Sequence, residues 1–226
     1  MKILVVGNGA REHALVWKFS RSNRISGLFA APGNAGTGAL AENLESVSAE
    51  DIQALVRAAH DNRCDLVFVG PEVPLAAGLV DALAGEGINA IGPNAKAAEL
   101  ESSKAMSKSF MGHYGIPTAI HKTFTDADAL EQYVRESDST LVVKKSGLAA
   151  GKGVVESDDR EHLINAGRGF VEDGDSVVVE QRLSGFEVSL FGFSDGTNYA
   201  LMPPCTDYKK AGAGGSGPNT GGMGAL

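Results

Sequence analysis

Hydrophobic and polar positions along the first hundred residues follow two alternating patterns. Short, mainly apolar runs are typical of strands buried on both faces, and they predict strands at residues 3–6, 28–31, 65–69 and 89–91. Stretches with a helical spacing of apolar residues predict a helix after Ala10, one from a capping box at Ser48 to Ala59, and one at 75–83. This alternation predicts an α/β fold with an open parallel sheet, in which ligands bind at the carboxyl ends of the strands.

The pattern changes near residue 101. Ser102 is placed to begin a helix that ends at His113, and Lys104 and Lys108 share one face of it. Beyond this helix the pattern predicts strands at 120–124, 141–144, 176–180, 187–193 and 199–202, and helices at 126–135 and 158–170. We therefore expect an N-terminal domain at residues 1–101 and a second domain at 102–226, which contains a small α+β unit at about 120–190.

Composition excludes several classes of protein. The chain has 20 basic and 28 acidic residues and a net charge of −8, which argues against a nucleic-acid partner but allows an anionic ligand in a local basic pocket. No apolar run reaches the roughly 18 residues that cross a bilayer, and the first residues lack the form of a secretory signal. Cys64 and Cys205 lie far apart, which disfavours a disulfide scaffold or a cysteine-based zinc site. We expect a cytoplasmic protein without a membrane partner.

The first glycine loop follows the first predicted strand. Gly7 and Gly9 resemble the start of a dinucleotide-binding fingerprint, but Glu12 occupies the position of the third glycine and would face a pyrophosphate. Nicotinamide or flavin binding is therefore disfavoured. Two alternatives remain open: a phosphate at the N-terminus of the next helix with Arg11 as its fixed charge, and a tight turn in which Arg11 pairs with Glu12 or lies in solvent.

A second glycine loop, residues 147–153, carries Lys152 between Gly151 and Gly153. It does not match the Walker A motif, because three residues instead of four separate its first two glycines and Gly153 stands where Ser or Thr is required. The lysines that flank its glycines, and its backbone N–H groups, favour a hairpin that lies over phosphates. The alternative is a hairpin tip with solvated lysines.

A third stretch, residues 211–224, is mostly glycine with a few small polar residues. It has almost no side chain to bury, as in a flexible linker. Asn219 and Thr220 nevertheless supply hydrogen-bonding groups between glycines, which is typical of a loop that closes on a ligand. Both interpretations remain open at this point.

Six motifs, in order along the whole chain, resemble those of the phosphoribosylamine–glycine ligase (glycinamide ribonucleotide synthetase) family of ATP-grasp enzymes. The first three are Gly7-Asn8-Gly9-Ala10-Arg11-Glu12-His13-Ala14-Leu15, Pro32-Gly33-Asn34-Ala35-Gly36-Thr37 and Val69-Gly70-Pro71-Glu72-x-Pro74-Leu75. The others are Ser103-Lys104, Gly147-Leu148-Ala149-Ala150-Gly151-Lys152-Gly153-Val154 and the segment from Gly217 to Ala225. The resemblance implies a Rossmann-like, pre-ATP-grasp domain followed by an incomplete ATP-grasp domain. The small α+β unit would be its ATP lid, and 191–226 would begin its large subdomain.

The resemblance implies a reaction as well. ATP phosphorylates the carboxylate of glycine, and the amine of 5-phosphoribosylamine attacks the resulting acyl phosphate to give glycinamide ribonucleotide, ADP and phosphate. Such catalysis consists mainly of positioning and of stabilising phosphoryl charge. This chemistry suits glycine loops and lysines, and no Ser/His/Asp or Cys/His set stands out in the chain; His13 and His113 are expected to pack or cap.

The family's site residues can be carried over onto matching positions. For ATP they are the phosphate-binding Lys104 and Lys144, the flap Gly151, Lys152 and Gly153, the adenine hinge Glu180, Gln181 and Leu183, and Glu187 for the ribose. For phosphoribosylamine they are Gly9, Arg11, Glu12, Asn34, Gly36, Thr37 and Glu72. The segment that closes over glycine and the amine comprises Asp207, Lys209, Pro218, Asn219, Thr220, Gly221 and Gly222. Lys144, Asp207 and Lys209 are the candidate catalytic residues.

Some positions depart from the family pattern. Lys145 and Ser146 stand where the family has Ala and Asp, and Thr206, Tyr208 and Lys210 stand where it has Gln, His and Arg. Lys210 cannot reproduce the bidentate fork of arginine. These changes bear on substrate affinity more than on the class of reaction.

The family also continues well past Leu226, where the Glu and Asn that hold magnesium are expected, so no metal ligand is assigned here. We therefore expect this chain alone to have little or no ligase activity. A complementary C-terminal chain, a non-catalytic module that binds phosphoribosylamine or nucleotide, and another ATP-grasp carboxylate–amine ligase remain as alternatives.

Overall fold

The computed structural model describes residues 1–149 and 153–226, with the backbone alone at Asn219 and Gly221. The first part comprises β1 (Lys2–Gly7), α1 (Ala10–Ser20), β2 (Gly27–Pro32), α2 (Ala35–Gly38), β3 (Glu42–Asn43), α3 (Ile52–Asp61), β4 (Leu66–Val69), α4 (Glu72–Ala76), α5 (Leu79–Gly85), β5 (Asn89–Ile91) and α6 (Ala95–Ser102). The second comprises α7 (Lys104–His113), β6 (His121–Phe124), α8 (Ala127–Glu136), β7 (Leu141–Lys145), β8 (Val154–Glu156), α9 (Arg160–Glu172) and β9 (Val177–Gln181). Four further strands follow: β10 (Gly192–Ser194), β11 (Tyr199–Leu201), β12 (Asp207–Gly212) and β13 (Ser216–Ala225).

The first part is built on a five-stranded parallel sheet with the order β3-β2-β1-β4-β5. β1 is its central strand, and successive side chains of a strand point to opposite faces. Leu4 and Val6 therefore join one core with Leu55, while Ile3 and Val5 join the core on the other face. The predicted open parallel sheet is confirmed, and the apolar run of β1 is explained by burial on both faces.

A second, antiparallel sheet with the order β6-β9-β7-β8 follows α7. Helices α8 and α9 cover one face, where Leu130 and Leu163 pack on Val143 and Val179. Because side chains alternate along a strand, the neighbouring Lys144 and Glu180 point to the opposite face. α7 packs against β9.

The chain after β9 is organised differently. β10 pairs with β11 and β12 with β13, each as an isolated antiparallel pair, and a single bridge joins Ser189 to Cys205. Many of its large apolar side chains are exposed, among them Phe186 at 89% and Tyr199 at 76%. The predicted strand at 187–193 is wrong, because only residues 192–194 form a strand there.

Several predicted boundaries also differ from the structure, mostly at helix starts. Asp51, and not Ser48, caps α3 by accepting a hydrogen bond from the N–H of Ala54. Ser103, and not Ser102, caps α7, because residue 102 is the last of α6. The single helix predicted at 75–83 is two helices, separated at Gly78, whose positive φ of 85° breaks the helical path.

For the glycine-rich stretch at 211–224, the sequence allows two interpretations, a flexible linker or a loop that closes on a ligand. Most of it forms β13, which pairs with β12 across a tight turn at Ala213–Gly215. Among the helices in the part of the chain that is described, none has the length and apolar character needed to cross a membrane.

Candidate functional site

Three loops meet at the carboxyl ends of β1, β2 and β4, which are neighbours in the parallel sheet. The amide of Asn34 donates to the carbonyl of Asn8 at 2.9 Å, which joins the second loop to the first. The Arg11 guanidinium donates to the carbonyl of Gly70 at 2.5 Å, which joins the first loop to the third. The structure therefore brings together the loops that carry Arg11, Asn34 and Glu72.

Glu12 lies beneath these loops and is almost completely buried. Its Oε2 accepts a hydrogen bond of 2.7 Å from the N–H of Gly9, at the N-terminus of α1. A Cβ at Gly70 would lie 2.1 Å from Glu12 Oε1, and a Cβ at Gly7 would lie 2.7 Å from the same side chain. The glycines at these positions make room for the carboxylate, and Glu12 supports the loops from below.

The second loop is held by its own side chains. Asn34 caps α2 by accepting from the N–H of Thr37 at 2.9 Å, and the buried Thr37 hydroxyl contacts Asn43 Oδ1 at 2.7 Å. A Cβ at Gly36 would lie 2.6 Å from the ring of His13, which explains the glycine. The ring of His13 thus packs against this loop, in agreement with a packing role.

A cleft of about 250 Å³ lies between α7 and the antiparallel sheet. It is lined by Leu100, Glu101, Lys104, Ser107, Lys108, Lys144, Val154, Val178 and Glu180. Glu180 is only 3% exposed, and its two carboxylate oxygens form ion pairs with Lys108 and Lys144. Three lysines against two carboxylates, Glu101 and the buried Glu180, leave this cleft with a net positive charge, which favours an anion.

Burial lowers the pKa of the Lys108 ammonium. Burial, together with the positive charges of Lys108 and Lys104, lowers the pKa of Lys144. For Lys144 the Glu156 carboxylate opposes this lowering of the pKa, because an opposite charge stabilises the charged form. An arriving anion would relieve the repulsion among these lysines.

Ser146 connects the glycine loop to α7. Its carbonyl accepts from the N–H of Lys104 at 2.9 Å, and its buried hydroxyl accepts from the N–H of Ala105 at 3.0 Å. The Lys104 ammonium donates to the carbonyl of Gly147 at 3.2 Å. Ser146 thus satisfies free N–H groups in the first turn of α7, as a capping side chain does.

The flap predicted at 151–153 is described only in part. Gly153 is buried, and a Cβ there would lie 2.7 Å from the Cβ of Ala149. Its carbonyl accepts from the N–H of Lys145 at 2.8 Å, so the two sides of the loop are paired. Gly151 and Lys152 lie outside the described residues.

Beyond β9 the predicted residues form a second group. Gln181 ends β9, and Leu183 is 69% exposed. The Lys209 ammonium lies 3.5 Å from Glu187 and 3.4 Å from Asp207. Partial burial lowers the pKa of Lys209, but the two carboxylates raise it by more, so the pKa is raised overall. The structure therefore joins Glu187 to Asp207 and Lys209, and not to the lining of the cleft.

The segment predicted to close over substrates is β13 and its turn. Thr220 donates to the carbonyl of Lys209 at 2.9 Å, and Asn219 pairs with Lys210 through the backbone register of the hairpin. Pro218 and Gly222 are exposed, and Gly221 lies between them in the same strand. The structure thus places this segment beside Lys209, the residue with which it was grouped.

The sequence did not reveal the contacts of two residues of the site. The helical spacing places Lys108 on the same face as Lys104 but predicts no role for it. The family pattern identifies Ser146 only as a replacement for a carboxylate. In both cases the decisive contact, with Glu180 or with the start of α7, joins residues more than forty positions apart in the chain.

No cluster of three or more His, Cys, Asp or Glu side chains suited to a metal ion occurs within residues 1–149 and 153–226. Magnesium takes oxygen ligands, usually one or two carboxylates together with substrate phosphates. We therefore assign no magnesium ligand to the described residues.

The chain is similar to known proteins over its whole length. Residues 1–101 match the family "Phosphoribosylglycinamide synthetase, N domain", and residues 102–226 match "Phosphoribosylglycinamide synthetase, ATP-grasp (A) domain". The phosphoribosylamine–glycine ligase of Xanthomonas campestris is 45% identical over all of this chain, which covers 54% of that protein. The trifunctional purine biosynthetic protein adenosine-3 of Gallus gallus is 47% identical over 99% of this chain, which covers 23% of that protein.

Solved structures agree with this similarity. The crystal structure of phosphoribosylamine–glycine ligase from Thermotoga maritima superposes with a TM-score of 0.82 at 31% identity, covering all of this chain and 55% of that one. An ADP complex of N5-carboxyaminoimidazole synthetase from Staphylococcus aureus gives 0.73 at 18% identity, over 91% of this chain and 54% of that one, which shows a shared fold. The chain spans about half the length of the bacterial ligases that it matches. It belongs to the phosphoribosylglycinamide synthetase family.

Proposed function

We propose that this chain supplies the substrate-binding and nucleotide-binding part of a ligase that joins glycine to 5-phosphoribosylamine and converts ATP to ADP and phosphate. The observation that carries the proposal is the cleft between α7 and the antiparallel sheet, where Lys104, Lys108 and Lys144 surround the buried Glu180. Its positive charge suits a polyphosphate. Membership of the family supports the choice of substrates.

In the proposed reaction a carboxylate oxygen of glycine attacks the γ-phosphorus of ATP, and ADP leaves. The amine of phosphoribosylamine then attacks the acyl carbon, phosphate leaves, and the nitrogen loses a proton. Lys104 and Lys144 hold the phosphates and stabilise the charge that moves between them. Gly153 belongs to the flap above them, together with Gly151 and Lys152. Glu180, Gln181 and Leu183 bind adenine, and Glu187 binds the ribose.

The three loops of the parallel sheet are proposed to bind phosphoribosylamine. Arg11 is a fixed cation at the N-terminus of α1, where a phosphate is favoured. Glu12 acts from below by keeping Gly9 and Gly70 in place, and Glu72 is exposed for a sugar hydroxyl. The rest of this pocket is formed by the loop that contains Asn34, Gly36 and Thr37.

Asp207 and Lys209 are proposed to act where glycine and the amine meet. Their carboxylate and ammonium groups lie 3.4 Å apart on β12, beside the hairpin strand that contains residues 218–222. An ammonium between two carboxylates stays charged and suits the stabilisation of an acyl phosphate. We propose residues 1–101 and 102–226 as the two domains, with residues 120–190 as the lid.

Magnesium would bridge the phosphates when bound, with protein ligands outside the described residues. The bacterial ligases that the chain matches are about twice its length, and many apolar side chains after Arg182 are exposed. We propose that further polypeptide, in the same chain or in a complementary one, packs on this surface. The two free cysteines, Cys64 and Cys205, support a reaction in the reducing cytosol.

Phosphate release with ATP, magnesium, glycine and fresh phosphoribosylamine tests the proposal. The chain alone is expected to turn over slowly or not at all, and the addition of the C-terminal half of a related ligase is expected to restore activity. Lys144→Met is expected to abolish the restored activity, while Lys96→Met, at an exposed lysine of α6, leaves it unchanged. If the complemented pair releases no phosphate although both partners are folded, the proposal is contradicted.

A binding module without catalysis is the second candidate. The observation that favours it is the complete core on both faces of the parallel sheet, which does not depend on residues after α6. Calorimetric titration with glycinamide ribonucleotide distinguishes the two. The binding module would be favoured if the chain releases heat on binding, if Arg11→Ala abolishes that heat, and if the complemented chain shows no ligase activity.

A further inference from the structure

We infer that Lys108 is a positioning residue that keeps the charge of Glu180 balanced, so that Lys144 is free to turn from Glu180 to a nucleotide phosphate. The inference rests on the proposed function, because it requires that a nucleotide binds in the cleft. It adds Lys108 to the residues of the site and gives the Lys144–Glu180 ion pair a role in the ligand-free state.

Glu180 needs a permanent counter-ion. Its carboxylate is 3% exposed and lies on β9 between α7 and the sheet, where an unpaired charge is costly. Lys108 and Lys144 both pair with it in the structure. If Lys144 moves to a phosphate, Glu180 keeps one ion-pair partner among the described residues, and that partner is Lys108.

The two lysines differ in how firmly they are held. The Lys108 side chain is 13% exposed, and its ammonium also donates to the Thr118 hydroxyl at 2.6 Å. The Lys144 side chain is 30% exposed, and Glu180 is its one ion-pair partner among the described residues. Lys108 is therefore anchored at two points, while Lys144 is the member of the pair that can move.

The charges around the cleft favour that movement. Lys144 is surrounded by the positive charges of Lys108 and Lys104, which together with burial lower its pKa. A polyphosphate would give Lys144 and Lys104 a new anionic partner and leave the Lys108–Glu180 pair intact. Without Lys108, a move of Lys144 would leave the buried Glu180 unpaired, and the phosphate would have to overcome that cost.

The test compares ADP with adenosine as ligands of the whole chain, by calorimetry and by competition. Lys108→Met is expected to weaken ADP binding about tenfold, because Lys144 is then held by Glu180. Adenosine has no phosphate, so its affinity is expected to stay within about twofold of the unmodified chain. Lys108→Arg keeps the charge and is expected to recover most of the ADP affinity.

A double-mutant cycle identifies the route of the effect. Lys144→Met removes the same phosphate contact, so the Lys108→Met/Lys144→Met pair is expected to bind ADP no more weakly than Lys144→Met alone. Additive losses would overturn the inference, and so would an equal loss for ADP and adenosine. Lys96→Met, an exposed lysine of α6 with no ion pair in the described part of the chain, is the matched control.

Folding and function are separated within the same experiment. Lys108→Gln can still donate to Thr118 and Glu180 but carries no charge, and it replaces the Met variant if circular dichroism shows that variant unfolded. Failure of the unmodified chain to bind ADP would contradict the proposed function itself. ADP binding by the unmodified chain, with equal affinity in the folded Lys108 variants, would overturn the inference alone.

Discussion

Glu180 and Glu187 lie seven residues apart and were both assigned to nucleotide binding, yet they occupy contrasting surroundings. Glu180 is on β9, 3% exposed, and pairs with two lysines beneath α7. The Glu187 side chain is 77% exposed and lies 3.5 Å from Lys209. The boundary between these regions falls where α8 and α9 no longer cover the strands.

The contrast teaches that apolar content alone does not bury a strand. Residues 177–181 and the segment after them are both rich in large apolar side chains. Val177 and Val179 are buried because α8 and α9 lie on their face of the sheet, whereas Phe186 and Phe193 meet no such layer in the described structure. We therefore expect the first region to dominate the stability of this part of the chain.

The largest expected effect is a loss of stability when a buried side chain of the first region is truncated. Leu130→Ala empties a fully buried position of α8 and is expected to lower the free energy of unfolding by about 3 kcal/mol. Leu201→Ala makes the same change at an exposed position of β11 and is expected to change it by less than about 0.5 kcal/mol. Urea unfolding followed by circular dichroism measures both. Equal losses would show that the hairpins are buried in solution.

The two carboxylates give the next test. Glu180→Ala leaves two partly buried lysines without their partner and is expected to destabilise the chain by about 2 kcal/mol. Glu187→Ala removes an exposed ion pair, which contributes at most about 0.5 kcal/mol. Urea midpoints at neutral pH and again in high salt check this, since salt screens only the exposed pair strongly. A larger loss in the Glu187 variant would reverse the comparison.

Ser146 sharpens the comparison at a single hydroxyl. Ser146→Ala removes the acceptor for the N–H of Ala105 and is expected to cost about 1 kcal/mol, as the loss of a helix cap does. Ser146→Asp, which introduces the residue of the family pattern, keeps an acceptor at the start of α7 and is expected to retain stability. Ser216→Ala, at the exposed first residue of β13, is the control and is expected to have little effect. Thermal denaturation ranks the three, and an unstable Asp variant would contradict the capping role.

The smallest effect concerns a turn between β10 and β11. The backbone N–H groups of Asn198 and Thr197, and the side-chain amide of Asn198, donate to Asp195 and lower its pKa to about 2. Because the folded-state pKa is depressed, this contact stabilises the turn above the ordinary pKa of 3.8 and is lost as the pH falls through 2. An NMR titration is expected to place the Asp195 midpoint near 2 and to show a higher midpoint in Asn198→Ala. A midpoint that Asn198→Ala leaves unchanged would contradict the side-chain contribution.

Most of the fold could be predicted from local pattern. The runs at 3–6 and 28–31 are strands because they are apolar throughout, and glycine loops mark their carboxyl ends. Helix starts were less predictable, because Ser48, Asp51, Ser102 and Ser103 are all capable caps and the chain uses one of each pair. The strand predicted at 187–193 failed over residues 187–191, because a strand needs a partner and the described structure has only the bridge at Ser189 before β10 begins.

The site was less predictable than the fold. The family motifs named Lys104, Lys144 and Glu180, but their assigned roles remain proposals. No motif indicated that Lys108 would share Glu180 with Lys144, or that Glu12 would be buried under Gly70. These contacts depend on the packing of α7 on the second sheet and of β4 beside β1, which bring distant segments together.

The sequence by itself determined the alternation of strands and helices, the positions of the glycine loops and the family to which the chain belongs. It did so because period, turn chemistry and motif order are local properties of the chain. Only the tertiary structure decided which charges are buried, which lysine is anchored and which apolar side chains stay exposed. Burial and ion pairing depend on contacts between segments far apart in sequence, and those contacts exist only once the layers have packed.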